Sequence, residues 1–293
     1  MPVVSIVTCT YNRSTLLKET IASVLTQTYQ DFEYIIVDDG SDDDTKSVVA
    51  SFADHRIHYV FHPRTGGHLS RLRNFADQFC NGRYIAYVDS DDLWEPTKIE
   101  RQIQAMEASP KIGFSCTDIL TFEGPSVLRP SLYNKMGSYT GNVFDLMLRN
   151  ELIICHTTLV IRRSCLQQVG PMDETLHSGD HDRVFFLSRF FEAFIIFDPL
   201  VRVRKHAGNS TGSNALSIRL LKEHHHTLKK LYEQQLITAS AYRTAMTLTS
   251  YAFGMQAMQM TEWAVARDYF KLCLSHQVFH VKSWYRLVTL LAK

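Results

Sequence analysis

No apolar run in this 293-residue chain approaches the ~20 residues a membrane-spanning helix requires, so an integral membrane protein is not indicated. Net charge is almost absent, 31 Lys and Arg against 30 Asp and Glu, which argues against a dedicated nucleic-acid binder. The six cysteines never fall at C-x-x-C spacing, so neither a disulfide frame nor a zinc site is expected. They read instead as small hydrophobes buried in a reducing compartment. The opening Met-Pro-Val-Val-Ser-Ile-Val lacks a basic region and a small-residue cleavage site, so a secretory leader is not expected and a cytoplasmic location is. Neither a GxGxxG loop nor a Walker-type lysine loop is present, which removes the usual dinucleotide and P-loop sites. A phosphate-bearing ligand would then be held through a metal and arginines, and Arg71 and Arg73 are placed in sequence for that role.

What is present has a clear centre. Tyr84-Ile-Ala-Tyr-Val-Asp-Ser-Asp-Asp-Leu-Trp94 is a strand-type apolar run that ends in three carboxylates, Asp89, Asp91 and Asp92. Carboxylates at the C-terminal end of a buried strand stand where open α/β sheets place their ligands. Held this close, they repel one another unless a cation lies between them, and oxygen donors suit Mg²⁺ or Mn²⁺. A solvated acidic turn is the plainer alternative.

The same design recurs upstream. Residues 3–8 read as a strand, followed by the loop Cys9-Thr-Tyr-Asn-Arg13 and a helix with Ser14 as its N-cap. Residues 34–37 form a second strand running into Asp38-Asp39-Gly40-Ser41, and Asp42, Asp43 and Asp44 load the start of the next helix. A third strand over 57–61 and a helix carrying Arg71 and Arg73 lead to the central strand. Alternating strands and helices imply a parallel sheet with right-handed crossovers.

The ordered series Val-Ser-Ile-Val-Thr-Cys-Thr-Tyr-Asn-Arg13, Ile-Val-Asp-Asp-Gly-Ser41, Arg-Asn74 and Tyr84 to Lys98 strongly resembles the family 2 glycosyltransferases. The resemblance continues through Gly170-Pro-Met-Asp-Glu174 and Gly179-Asp-His-Asp182 and closes at Arg202-Val-Arg-Lys-His-Ala-Gly-Asn-Ser-Thr211, about the first seven-tenths of the chain. It implies an inverting enzyme of GT-A fold, a Rossmann-like, mainly parallel sheet with flanking helices. Such an enzyme uses a nucleotide-sugar donor, a UDP-sugar by resemblance, and a divalent metal, Mn²⁺ or Mg²⁺. The implied acceptor is a glycan or lipid-linked oligosaccharide of surface polysaccharide biosynthesis. Carried over by residue, Asp39 or Asp38 bonds the nucleobase, with Thr10 and Arg13 lining its pocket; Asp38 is equally well a turn residue. Arg73 approaches the ribose and diphosphate, Asp89 the ribose, Asp91 the metal, and His206 the metal or the diphosphate. Asp180 corresponds to the catalytic base. Here Gly179 replaces the family's usual Glu, and Asp182 matches a second acidic position. Trp94 is a candidate to stack on a sugar, and His156 and Tyr139 are candidates for the acceptor side; packing accounts for all three equally well.

A catalytic domain over 1–212 and a helical appendage over 213–293 follow, because strand signals stop near Asn214. Between 201 and 230 the chain has many cations and one acid, Glu223. Residues 281–293 mix aromatics, leucines and cations as an interfacial helix does, which implies peripheral contact with an anionic bilayer or, equally, a capping helix. His224-His225-His226 reads as surface, since adjacent residues on a helix point apart. Two other classes compete. A sugar nucleotidyltransferase would need a glycine-rich basic loop after the first strand, which is absent. A non-catalytic nucleotide-sugar-binding protein is motivated by Gly179.

Overall fold

The computed structural model describes residues 2–206, 209 and 214–290. The 212/213 boundary, the Ala207, Gly208, Ser210 and Thr211 of the closing motif, and Lys293 lie outside the described residues. The chain forms two compact units, 1–143 with 154–206, and 144–153 with 207–293.

In the first unit, β1 (Val4–Thr10), α1 (Ser14–Leu25), β2 (Phe32–Asp38), α2 (Thr45–Ser51), β3 (Ile57–Phe61), α3 (Leu69–Asp77) and β4 (Tyr84–Tyr87) alternate. They are followed by β5 (Leu93–Trp94), α4 (Lys98–Ala108), β6 (Ile112–Glu123), β7 (Ser126–Arg129) and β8 (Ser138–Gly141). The second unit then interposes α5 (Phe144–Leu148). The first resumes with a 3₁₀ turn (His156–Thr158), β9 (Val160–Arg162), α6 (Arg163–Val169), α7 (Asp180–Phe190) and β10 (Glu192–Arg204). Strand order is β3-β2-β1-β4-β9-β6-β10-β5, with β7 beside β6 and β8 beside β10.

The long ladders, β1 with β2 and β4, β2 with β3, and β6 with β10, are parallel. The sheet is nonetheless mixed. β9 runs antiparallel to both β4 and β6, and β5, β7 and β8 pair antiparallel as well. Every residue of β2 and β4 is buried, as befits strands covered on both faces. Val4, Ile6, Ile36 and Ala86 meet Leu17, Ile21 and Ile99 in one core, which makes the C-terminal ends of β1, β2 and β4 a rigid platform. Ser14 is not the cap of α1. It is the first helical residue, and its N–H donates to Asp43 Oδ2 at 3.0 Å. The other oxygen of Asp43 accepts from Thr45 N at 3.0 Å, so one carboxylate serves the starts of two helices.

The second unit is helical: α8 (Asn214–Glu233), α9 (Ala239–Gln259), α10 (Trp263–His276) and α11 (Val281–Leu290). Ala257, Ala266 and Phe270 form the core of the α9–α10 hairpin. The histidine triplet is not all surface. His224 is buried 3.3 Å from Thr249 Oγ1 and His225 lies 3.1 Å from Ser250 Oγ, because this stretch of α8 packs on α9 through a wider face than an apolar stripe reveals. No helix of the described residues is long and apolar enough to cross a membrane.

Candidate active site

The platform delivers carboxylates at each strand end. Where β2 ends, Asp38 and Asp39 point to different partners. Asp38 is buried, with Oδ1 accepting from Ser41 N at 2.9 Å and Oδ2 from Tyr59 Oη at 2.5 Å. Both oxygens are therefore committed to the turn and to β3, which corrects its assignment as a nucleotide contact. Asp39 accepts from Thr65 N (2.7 Å) and Thr65 Oγ1 (2.9 Å) and pairs with Arg64. The Arg64 guanidinium lies over the Tyr11 ring, 3.4 Å from its centroid. Thr10 stands beside this group through its carbonyl, which accepts from Asp39 N at 2.9 Å, and its buried hydroxyl has no hydrogen-bond partner among the described residues. Tyr11, Arg64 and Thr65 were not singled out by sequence. The signal for Arg64 and Thr65 was a loop beginning His-Pro-Arg-Thr-Gly-Gly directly after a strand, and that for Tyr11 its place in the loop Cys9-Thr-Tyr-Asn-Arg13.

Arg13 does not join that pocket. Its guanidinium reaches Asp91 Oδ2 at 2.8 Å, drawn to the denser negative charge at the end of β4. The same oxygen is 2.9 Å from His206 Nε2, so the ends of β1, β4 and β10 converge on one carboxylate. Arg204 closes the group: its N–H donates to Asp92 Oδ1 (3.2 Å) and its Nε–H to the Asp91 carbonyl (3.1 Å). Burial lifts the Asp92 carboxyl well above the usual range, and the charges of Asp89 and Asp91 add to the lift. Such surplus negative charge suits a cation. Asp91 and His206 offer it one oxygen and one nitrogen, a donor pair compatible with Mn²⁺. Among the described residues no group of three His, Cys, Asp or Glu side chains could hold a metal by itself, so a ligand's phosphates and water would complete the shell.

The third group centres on Arg73, whose side chain is 4% exposed. It pairs with Asp180 at the start of α7, reaches Asp89 Oδ1 at 3.2 Å, and donates to the Ser178 carbonyl at 3.3 Å. Burial works against its charge, but Asp180 and Asp89 outweigh burial and hold the guanidinium protonated. Arg71, two residues away on α3, faces solvent. Asp182 is buried in the first turn of α7. Gly179 precedes the helix at φ +66°, a conformation that favours glycine.

Trp94 takes the packing role and corrects its assignment as a sugar contact. Only 3% exposed, it donates from Nε1 to the Thr157 carbonyl at 3.1 Å and carries the Lys98 ammonium 3.9 Å from its ring centroid. An indole enclosed in this way is a core residue with no free face for a sugar. Tyr139 lies on β8, its hydroxyl 3.2 Å from the Asn142 carbonyl.

Residues 5–170 match the family described as glycosyl transferase family 2. The putative teichuronic acid biosynthesis glycosyltransferase TuaG of Bacillus subtilis is 34% identical over 219 residues, 73% of this chain and 82% of its own. The Escherichia coli UDP-Glc:α-D-GlcNAc-diphosphoundecaprenol β-1,3-glucosyltransferase WfaP is 42% identical over 115 residues, 39% of this chain and 45% of its own. Among solved structures, Staphylococcus aureus TarS 1–349 superposes with a TM-score of 0.68 at 14% identity, covering 98% of this chain and 88% of that one, a likeness of fold.

Proposed function

Because the chain belongs to glycosyl transferase family 2 and is a glycosyltransferase of hexosyl type, we propose that it transfers a sugar from a UDP-sugar to a hydroxyl of a lipid-linked glycan with inversion. The observation that carries this reading is the double pairing of Arg73, which brings the carboxylate at the end of β4 and the carboxylate opening α7 onto one guanidinium. A donor-side and an acceptor-side group so linked can flank one anomeric carbon.

In this mechanism Asp39 and Thr10 take the nucleobase, and Asp89 and Arg73 hold the ribose and diphosphate. Asp180 removes the acceptor's hydroxyl proton as that oxygen bonds to the anomeric carbon. The bond from that carbon to the diphosphate breaks on the opposite face, and its electron pair leaves with the nucleotide. General-base help of this kind contributes about 10²–10⁴-fold. Asp91 and His206 would hold Mn²⁺ or Mg²⁺, which supplies positive charge to the departing diphosphate. Arg13, already on Asp91, adds to that charge. We assign catalysis to the 1–212 region and an accessory role to the helices of 213–293.

WfaP's named acceptor is a diphosphoundecaprenol, and an acceptor of that class would bring this chain to a bilayer surface. The turn before α11 and the helix itself expose Phe279 (93%), Val281, Trp284, Tyr285 and Val288 beside Lys282 and Arg286. That composition suits the interface of an anionic membrane. Flotation with phosphatidylglycerol vesicles should be lost in a Phe279→Glu, Trp284→Glu variant; undiminished binding would remove α11 from the reading.

Nucleotide release from UDP-, GDP-, dTDP- and CMP-sugars, with Mn²⁺, Mg²⁺ or EDTA, tests the whole proposal. Release from one donor, abolished by EDTA and by Asp91→Ala, is expected. Failure to bind UDP with Mn²⁺ in calorimetry would refute the donor assignment, and binding without turnover in the presence of acceptors would mark a non-catalytic binding protein.

A further inference from the structure

His156 opens a 3₁₀ turn that is fixed from several sides. Trp94 Nε1–H donates to the Thr157 carbonyl at 3.1 Å, and Gln102 Nε2–H to the Thr158 carbonyl at 3.1 Å. Thr158 Oγ1–H donates to the Cys155 carbonyl at 2.7 Å, while Thr157 Oγ1 accepts from Asp89 N at 3.3 Å. The backbone that carries the imidazole is thus tied to the acidic strand end on one side and to α4 on the other. The ring packs on Tyr87 at 4.5 Å between centroids, and its side chain is 2% exposed. Neither ring nitrogen has a hydrogen-bond partner among the described residues. Nε2 lies 3.9 Å from Asp180 Oδ1.

Burying two unmatched polar atoms costs about 1–3 kcal/mol each, and an apolar ring would fill the same space against Tyr87 without that cost. Packing therefore does not account for a histidine here. A closure of roughly 1 Å would turn the separation from Asp180 into an N–H···O hydrogen bond. The preceding residue offers Asp180 no comparable support. Gly179 stands at positive φ, and a Cβ on it would lie 3.2 Å from Met172 Cβ and 3.3 Å from Ser70 Cβ.

We propose that His156 is a positioning residue for Asp180, a role that rests on the glycosyltransferase reading above: it donates Nε2–H to the carboxylate and aims it at the acceptor hydroxyl. Burial, with Arg73 and Arg183 nearby, pushes the imidazole well below its ordinary pKa, so it enters this contact neutral. A neutral donor orients the carboxylate without weakening it as a base in the way a further guanidinium would. Arg73 pairs with the charge of Asp180, and His156 supplies direction.

Three variants of the full chain test this, assayed with the donor that wild type turns over and its acceptor. His156→Phe keeps the packing on Tyr87 and removes the donor; kcat should fall about 10–100-fold, as misplacement of a reacting group does, with UDP–Mn²⁺ affinity unchanged. His156→Gln retains an N–H and should recover most of the loss. In an Asp180→Asn background, His156→Phe should cost almost nothing further. His156→Met replaces the Phe variant if the latter does not fold. Unchanged kcat in His156→Phe, equal impairment in the Gln variant, or additive losses in the double variant would each overturn the role. A wild-type chain that binds nucleotide but never turns over would overturn the catalytic reading along with it, whereas an active wild type with an active Phe variant refutes His156 alone.

Discussion

At the scale of single residues, adjacent acids have separate tasks. Asp38 is spent on Ser41 and Tyr59, whereas Asp39 is held by a loop that has to share it with any base it binds. Asp39→Asn is therefore expected to weaken UDP binding by about 1.5–3 kcal/mol, the worth of a hydrogen bond to a charged group. Asp38→Asn should instead lower thermal stability with little change in affinity; calorimetry and a melting curve on both variants separate the two. Trp94→Ala should cost about 3–5 kcal/mol of stability, as large core truncations do, while UDP affinity is retained in whatever fraction folds. The strand-end carboxylates were legible because an apolar run ending in acid has few other uses. The partners of Arg13 and Arg64 were not. They lie 78 and 25 residues away, and no local pattern encodes which acid an arginine will find. Stacking and packing could not be told apart for Trp94 because it follows the acidic turn in sequence but re-enters the core as part of β5.

At the scale of elements, the strands of the first half were readable and the short ones were not. β5 and β9 have two and three residues, too few for a period, and exist because β10, β4 and β6 offer them a ladder. The helices of the second unit were visible in outline, but their contact faces were hidden by polar residues such as His225. Burial against α9, with His276 nearby, holds His225 down at about 4. The unfolded chain takes up this proton near pH 6.5 and the folded chain only near 4, so the stability is complete above pH 6.5 and is lost as pH falls through that interval. Melting curves between pH 7.5 and 4.5 should show a decline, of which His225→Gln removes roughly 1–3 kcal/mol.

At the scale of the whole molecule, the α/β class and the helical segment were plain from the sequence. The return of residues 144–153 to the helical unit was not, since a five-residue helix between two strands carries no sign of where it packs. The insertion of β9 has a consequence for how such a chain is made. Residues 84–86 pair with 160–162, and β6 waits for β10, more than seventy residues further on. A ribosome that has delivered only the first 150 residues has released β4 with one flank unpaired, a sticky edge whose partner has not yet been synthesised. Expressed alone, a 1–150 fragment should aggregate or remain bound to chaperones while the full chain stays dispersed, as sedimentation of the two lysates would show. The acidic strand end on which the chemistry converges is thus completed late in translation.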